Sequence, residues 1–462
     1  MPALIRFRYL MTTNSSSPDL RLKSSNRQIL RIALPISLAL LVPQINFVIN
    51  NVFVSGLGET ELGTAGITGV FYLVFALAGN GLNSGLQGLL ARRAGENRPE
   101  EIGKLFIQGL WIAGFFSAAA ILITYTAGPW ILYNSIHSEE VYLNAIGFLK
   151  IRVWGVPFLY FFQMCNALLV GTNNSRYMKL GFGVQAAVNV VLDYCLIYGH
   201  WGLPALGFNG AAVASIFAEI SGLLVVLLII FYKKFGQQFS LFRHLRFNAA
   251  GSGLIFRQSS PLVAQYLLSI MAWVMFYIFI EHKGKRPLAI SNAMRNIFGI
   301  FGIFAWAFAS TSNAMVSNII GQGKKEEVLQ LIRKIARLSF GFTVVLCGLV
   351  NLFPGLFLSL YGRDQSFTTE AIPVIRMVSV GVLFMSVATV WLNGVTGTAN
   401  TRVNLMIEII CILLYVGYIY FVLKVWNLSL VWAWASELVY WSSLLLLSFL
   451  YLRSGHWKKK NI

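Results

Sequence analysis

Apolar stretches of twenty or more residues recur along the whole chain, and no other feature limits its possible folds so strongly. The chain is 57% hydrophobic and only 11% charged, a composition typical of proteins that have lipid as their solvent. A helix needs about 20 apolar residues to cross about 30 Å of hydrocarbon. The sequence therefore predicts an all-α, polytopic membrane protein with twelve spans, near 31–54, 64–91, 104–126, 141–170, 177–198, 206–232, 253–280, 287–318, 332–355, 371–397, 403–424 and 429–451.

The charged residues are sorted between alternate connections. The net charge is +19, and basic residues gather in one set of connections and in both tails: Arg21, Lys23, Arg27, Arg92, Arg93, Arg98, Lys233, Lys234, Arg243, Arg246, Lys324, Lys325, Lys458, Lys459 and Lys460. The opposite connections carry mainly acids: Glu59, Glu61, Glu139, Glu140, Asp364 and Glu370, with a basic exception at Lys283, Lys285 and Arg286. By the positive-inside rule, both termini are expected in the cytoplasm. Two cytoplasmic termini require an even number of spans. The expected location is a plasma (inner) membrane. The basicity indicates topology and contact with anionic lipid rather than nucleic-acid binding.

The sequence offers no visible site for bond-breaking chemistry. The four cysteines, Cys165, Cys195, Cys347 and Cys411, fall inside the predicted spans without CxxC spacing, and the five histidines are far apart. The phosphate-binding, nucleophile-elbow and zinc-protease motifs are absent. An integral-membrane enzyme would need clustered catalytic groups near one interface, so we expect neither an enzyme nor a bound cofactor. If the protein moves a solute, an ion gradient must supply the energy.

The second half of the chain repeats the first at an offset of 226 residues. The offset aligns Arg31 with Arg257 and Pro35 with Pro261, and it still aligns GTNNSR at 171–176 with GTANTR at 397–402. With six spans in each copy, the copies share one orientation and are related by a pseudo-twofold axis along the membrane normal. The predicted division is a cytoplasmic tail at 1–30, a bundle at 31–232, a linker at 233–252, a second bundle at 253–453 and a basic tail at 454–462. Two bundles that rock around a central cavity favour transport.

Amides line the first two spans at helical spacing. These are Gln44 and Asn46 in span 1 and Asn80, Asn83 and Gln87 in span 2. Two interpretations stay open for them. They are either hydrogen-bonding contacts between helices or the lining of a substrate cavity, and their coincidence with polar residues of span 5 favours the cavity.

Asp193 is a carboxylate inside the apolar fifth span, and Asn189 shares its helical face. An ionised Asp at a helix centre costs about 2.5–3.5 kcal/mol, so it is retained only if it is paired, protonated or bound to a cation. Lys150 and Arg152 near the start of span 4 are the nearest basic residues that would make it structural. Of the other acids within spans, Glu219, Glu408 and Glu437, the last lies at the depth of Arg295. We expect Arg295 and Glu437 to form a structural pair within the second bundle.

In order and spacing these features resemble the MATE (multidrug and toxic compound extrusion) transporters from Arg31 to Arg453. The resemblance is carried by Pro35, INNVFVSGLG at 49–58, NVVLDYCLIYG at 189–199, GAAVAS at 210–215, and the repeated NALLVGTNNSR and NGVTGTANTR. It implies a secondary active antiporter that exports cationic or amphipathic compounds, multidrug efflux included, in exchange for Na⁺ or H⁺.

Within that family the chain is more similar to the DinF-like branch than to the NorM-like branch, whose coupling carboxylates lie in spans 7, 8 and 10. The resemblance implies a proton or Na⁺ site at Asp193 and Asn189, completed by Asn166 and Ser215. Asn50 belongs to the same implied site and stands where the family carries an aspartate; it removes one titratable group, but its amide oxygen can still coordinate a cation. Pro35 is the expected hinge of span 1, and the loss of that acid weakens the schemes in which its protonation bends the span.

Two other functions remain as alternatives. A lipid-linked oligosaccharide flippase of the same wider superfamily would need several cations in its cavity, and Arg295 is the one clearly deep cation. Export of an endogenous metabolite is the second alternative. As partners we expect small organic cations or amphipathic drugs and membrane lipid, and no nucleic acid. We expect the protein to be a monomer.

Overall fold

The computed structural model describes residues 19–359 and 365–460. Within these residues twelve helices are long and apolar enough to cross a membrane, as the sequence predicted. We number them α1 to α12: Asn26–Ser55, Thr60–Gly95, Pro99–Ser135, Glu139–Gly171, Ser175–Tyr198, Phe208–Tyr232, Ala249–Glu281, Lys285–Gly321, Lys325–Leu352, Gln365–Gly397, Thr401–Val425 and Leu430–Ser454. Short helices Phe235–Gln238 and Pro354–Ser359 lie in the connections after α6 and α9.

Several of these helices begin four or more residues earlier than their apolar residues indicate, and a capping side chain explains two of the early starts. Helix α1 begins at Asn26 rather than near residue 31, because the Ser25 hydroxyl accepts a hydrogen bond from the Gln28 amide and caps the helix. Helix α7 begins at Ala249 rather than near residue 253, since the Asn248 side chain accepts from the Gly251 amide. Helices α1 and α7 therefore include residues 26–30 and 249–252, which were predicted to belong to the first tail and the linker.

The helices form two six-helix bundles, α1–α6 and α7–α12, which meet mainly along α1 and α2 on one side and α7 and α8 on the other. Inside each bundle the same pairs pack together. The first helix contacts the fifth, as α1 contacts α5 and α7 contacts α11, and the second helix contacts the fourth, as α2 contacts α4 and α8 contacts α10. The repeat found in the sequence therefore corresponds to the same helix–helix contacts in each bundle.

The contact between bundles has the twofold character that the 226-residue offset predicts. Gly95 of α2 lies so close to α8 that a Cβ atom there would stand 2.0 Å from the Asn318 carbonyl oxygen. Its repeat mate Gly321 makes the equivalent approach in reverse, 2.3 Å from the carbonyl oxygen of Arg92, which is the repeat mate of Asn318. A contact in which residue i meets j and j meets i is the signature of a twofold axis.

A second reciprocal contact lies about two turns further along the same helices. The Gln87 side chain donates to the Ser310 carbonyl at 2.8 Å, and the Asn313 side chain donates to the Ser84 carbonyl at 2.9 Å. Gln87 and Asn313 are one repeat pair, and Ser84 and Ser310 are the other. The axis therefore passes between α2 and α8.

The described segments just before α1 and just after α12 pack on the second bundle beside these reciprocal contacts. The Leu22 amide donates to the Asn318 side chain at 2.9 Å, and that side chain donates to the Leu20 carbonyl at 3.1 Å. Near the other terminus, Lys458 pairs with Glu326 at 2.6 Å. The end of the molecule at which residues 20–22 and 458 lie is therefore the closed end, where the bundles touch backbone to backbone.

Replacing Gly95 by alanine should destabilise the protein by about 1–3 kcal/mol, because the new methyl group meets a backbone carbonyl rather than a movable side chain. Gly63 on the same helix is the matched control. Nothing lies within 4 Å of a Cβ there, so Gly63→Ala should gain up to about 1 kcal/mol of helix propensity. Thermal unfolding in detergent micelles compares the two. Equal unfolding temperatures would show that the bundles do not touch at Gly95.

Candidate functional site

Three polar side chains share one face of α5 at intervals of four residues: Gln185, Asn189 and Asp193. They lie in a helix whose other residues are largely apolar. Asp193 has an exposed fraction of 0%, and neither carboxylate oxygen has a hydrogen-bond partner in the protein. A buried charge without a partner is strongly unfavourable, so this carboxyl group is stable only with a proton or a cation on it.

Most of the buried polar atoms of the first bundle that have no partner in the protein are oxygen acceptors, Asn83 Oδ1 of α2 among them. The Asn46 side chain of α1 donates to the Asn189 oxygen at 2.5 Å, so α1 and α5 meet through their amides. Side-chain oxygens with no partner in the protein are buried on α1, α4 and α5: Asn46 Oδ1, Asn50 Oδ1, Gln163 Oε1, Asn166 Oδ1 and Gln185 Oε1. Asn46, expected to line the substrate cavity, is thereby joined to the predicted cation site.

The structure brings together only part of the predicted site. Asn189 and Asp193 share one face, and Asn46 is bonded to Asn189. Asn166 is buried on α4, Ser215 is half-buried on α6 and Asn50 is half-buried on α1, and within the described residues none of the three is hydrogen-bonded to Asp193. Their role as ligands stays a prediction. Helix α1 runs as a helix through both Pro35 and Pro43, and bending at Pro35 likewise stays a prediction.

The basic residue nearest to Asp193 is already engaged. Arg152 is close enough to interact electrostatically with Asp193, but its guanidinium binds both oxygens of Glu219, at 2.5 and 2.9 Å. The Tyr72 hydroxyl donates to the same carboxylate at 2.9 Å, and the guanidinium lies 3.8 Å from the centre of the Tyr72 ring. Glu219 is therefore the neutralised acid of this bundle, and Asp193 is not.

The two deep acids of the second bundle are held by neutral donors. Glu408 accepts from Gln265, Ser269 and Tyr440, and Glu437 accepts from Trp273, Tyr415 and Trp441.

The predicted pairing of Arg295 with Glu437 is wrong in this structure. Arg295 lies over the Tyr277 ring at 5.6 Å, and among the described residues it forms no ion pair with Glu437. Both residues lie near the Tyr277 ring, but the hydrogen bonds that Glu437 accepts come from indole and phenol groups. Of the four acids deep within the described helices, Asp193 alone has no hydrogen bond.

The other predicted cavity residues divide into two groups. Gln87 is 2% exposed and bonds across to Ser310, so it is a contact between bundles and not part of a cavity wall. Gln44 faces Gly299 of α8, 2.9 Å from the position of a Cβ atom there. Asn80 and Asn83 are half-buried on α2, and their place in a cavity stays a prediction.

Sequence reasoning missed Gln163 and Gln185. The signal was present, because Gln185 lies four residues before Asn189, and Gln163 lies three residues before Asn166. With them the first bundle holds one uncompensated carboxylate, Asp193, and several amide oxygens, the hard donors that suit a proton or an alkali cation. The described residues contain no group of three or more His, Cys, Asp or Glu placed to hold a metal ion, so Na⁺ would depend on the amides.

Twelve spanning helices in two parallel repeats, with an uncompensated carboxylate inside one of them, define an integral membrane protein of the transporter class. The MatE family model matches residues 35–195 and again 261–421, more than half of the chain, and the two matches are offset by the same 226 residues. The chain belongs to the MatE family, whose members are transporters.

Solved structures share the fold at low sequence identity. One is a MATE protein in complex with MaL6, with 18% identity and a TM-score of 0.88. Another is a MOP superfamily transporter from Pyrococcus furiosus, described as having a binding pocket of reversed polarity that suggests a different function, with 19% identity and a TM-score of 0.86. A third is an outward-facing multidrug resistance MATE transporter, with 19% identity and a TM-score of 0.85. Each match covers 97% of this chain and 100% of the other.

Proposed function

We propose that the protein is a secondary active antiporter that exports amphipathic organic compounds, cationic ones among them, in exchange for Na⁺ or H⁺. The observation that carries the proposal is the Asp193 carboxylate, which is fully buried and has no partner in the protein. A group of this kind alternates between a proton and another cation as the access of the site changes. Asn189, one helical turn away on the same face, offers a neutral oxygen beside it, and Asn46 is hydrogen-bonded to Asn189. A coupling site in the first bundle is the arrangement of the DinF-like branch.

The distribution of basic residues indicates which side of the membrane the closed end of the molecule faces. The closed end carries the basic tails and connections, which the positive-inside rule assigns to the cytoplasm of a plasma (inner) membrane. Apolar side chains of α1 and α2 are exposed near the opposite end, among them Val48 (60%), Val52 (64%) and Val70 (53%). We therefore infer an outward-facing state. The backbone contacts at Gly95 and Gly321 would separate when the bundles rock to face inward, with Pro35 as a hinge in α1. We propose that one chain is the transporting unit.

A lipid-linked oligosaccharide flippase is the less favoured alternative. A polyanionic cargo requires several deep cations, yet Arg152 is bound to Glu219 and Arg92 donates to the Gly397 carbonyl at the closed end. Arg295 remains as one deep cation without an acidic partner among the described residues. Export of an endogenous metabolite differs from multidrug export in its cargo and not in its mechanism.

The proposal is tested with the wild-type protein in liposomes loaded with rhodamine B ethyl ester, a cationic amphipathic dye. We expect an inward gradient of Na⁺, of protons or of both to accelerate dye export over protein-free liposomes. A fluorescent lipid-linked oligosaccharide in the same liposomes should not change leaflet. Dye export that responds to neither gradient would refute antiport, and movement of the lipid would favour the flippase.

A further inference from the structure

One face of α8 is turned toward the other bundle along most of its length. Residues of this face recur every three or four positions, and each contacts a residue of α1 or α2: Gly299 contacts Gln44, Ser310 contacts Gln87, Asn313 contacts Ser84, and Ser317 contacts Gly88. Arg295 lies one helical turn before Gly299 and therefore on the same face. This position lies in the first third of α8, on the side of the molecule that we infer to be open.

The Arg295 guanidinium is accessible to a ligand at this position. The residue is exposed, and its guanidinium lies 5.6 Å from the centre of the Tyr277 ring of α7. The Tyr277 hydroxyl donates to the Ser291 carbonyl at 3.0 Å, which fixes the ring against α8. Among the described residues no carboxylate forms an ion pair with Arg295. A cation deep in a membrane protein without a counter-ion is expensive to retain, so a functional partner is its ordinary explanation.

The faces of α1 and α2 that run on toward this side carry exposed valines together with the exposed amide Asn51. Val48 lies one turn beyond Gln44 on α1. Val74 and Val70 continue the face of α2 on which Gly81 contacts Val263 of α7. All three valines are exposed. None of the four deep carboxylates contributes to this surface, because each is at most 4% exposed: Asp193, Glu219, Glu408 and Glu437.

We infer that Arg295 and Tyr277 form a subsite for an anionic group of the cargo, such as a carboxylate or a sulfonate. The inference rests on the proposed transport function and specifies its cargo as an amphipathic compound that carries a negative group, with or without a positive one. The guanidinium offers forked donors that fit a carboxylate, and the valines accept an apolar body. The cation site at Asp193 stays separate, inside the first bundle.

A matched pair of dyes tests the subsite. Rhodamine B has a free carboxylate, and its ethyl ester has the same cationic ring system without it. Fluorescence anisotropy measures equilibrium binding of each dye to the detergent-solubilised full chain. We expect the wild type to prefer rhodamine B. Arg295→Met should weaken rhodamine B binding by about tenfold or more, as for the loss of a charge-assisted hydrogen bond, and leave the ester unchanged. Arg295→Lys should retain part of the preference.

Arg376→Met is the control, because it removes one exposed arginine of α10 and changes the net charge equally. It should alter the binding of neither dye. A wild type that binds both dyes equally or binds neither, or an Arg295→Met variant that loses both equally, would overturn the subsite. Binding needs no ion gradient, so this outcome is independent of the export assay. A protein that discriminates the dyes but ignores both gradients would retain the subsite and refute the antiporter.

Discussion

Replacing Arg152 by methionine is expected to destabilise the protein by about 3–5 kcal/mol, because it leaves the Glu219 carboxylate buried without its counter-ion. Arg152 and Glu219 form a two-pronged ion pair with side chains 10% and 4% exposed. The double variant Arg152→Met with Glu219→Leu should be close to the wild type, since apolar residues of similar volume often replace a buried pair at little cost.

The residues around this ion pair provide a hydrogen bond, an aromatic contact and space for the two side chains. Tyr72 supplies a hydrogen bond and a ring face, and Gly155 leaves space that a side chain would take, because a Cβ there would stand 2.1 Å from a Glu219 oxygen. The pair also keeps the nearest cation from neutralising Asp193.

Thermal unfolding in detergent micelles measures the single and double variants. Lys458→Met is the control, since its partner Glu326 is 84% exposed and pairs of this kind contribute at most about 1 kcal/mol. If the double variant proved as unstable as Arg152→Met alone, the loss would come from packing and not from the stranded charge.

The fold was predictable because both features that determine it can be recognised in the sequence without knowledge of the contacts between helices. Twenty-residue apolar runs define the spans, and a constant offset of 226 residues defines the symmetry that appears as reciprocal contacts at Gly95 and Gly321. The helix starts were less accurate. Ser25 and Asn248 cap α1 and α7 and so extend them. Because capping residues are polar, the pattern of apolar residues does not reveal them.

The site was predictable only in part, because partners come from other helices. Four acids are visible in the spans, but nothing local shows that Arg152 binds Glu219, or that Trp and Tyr donors hold Glu437 in place of Arg295. Helical spacing alone also failed to separate Gln87, which joins the bundles, from Asn46, which meets Asn189. Asp193 was identified from its apolar surroundings, and the structure adds that it has no partner in the protein.

Asp193→Asn is expected to fold and yet to lose gradient-driven export. An amide of the same shape is less costly to bury than a charge, so unfolding temperature should be unchanged or higher. Without a titratable, anionic oxygen the site cannot exchange one cation for another, and export should fall to the rate of protein-free liposomes. Glu408→Gln is the matched control, because its carboxylate is equally buried but has three protein donors. This control should keep the wild-type response.

The most direct measurement is export of rhodamine B ethyl ester from liposomes that contain equal amounts of wild type, Asp193→Asn or Glu408→Gln, under an inward Na⁺ gradient and, separately, an inward proton gradient. We predict that at least one gradient accelerates export by the wild type and by Glu408→Gln, and that neither gradient accelerates export by Asp193→Asn. Export by Asp193→Asn at the wild-type rate under both gradients would contradict the assignment of Asp193 as the coupling group.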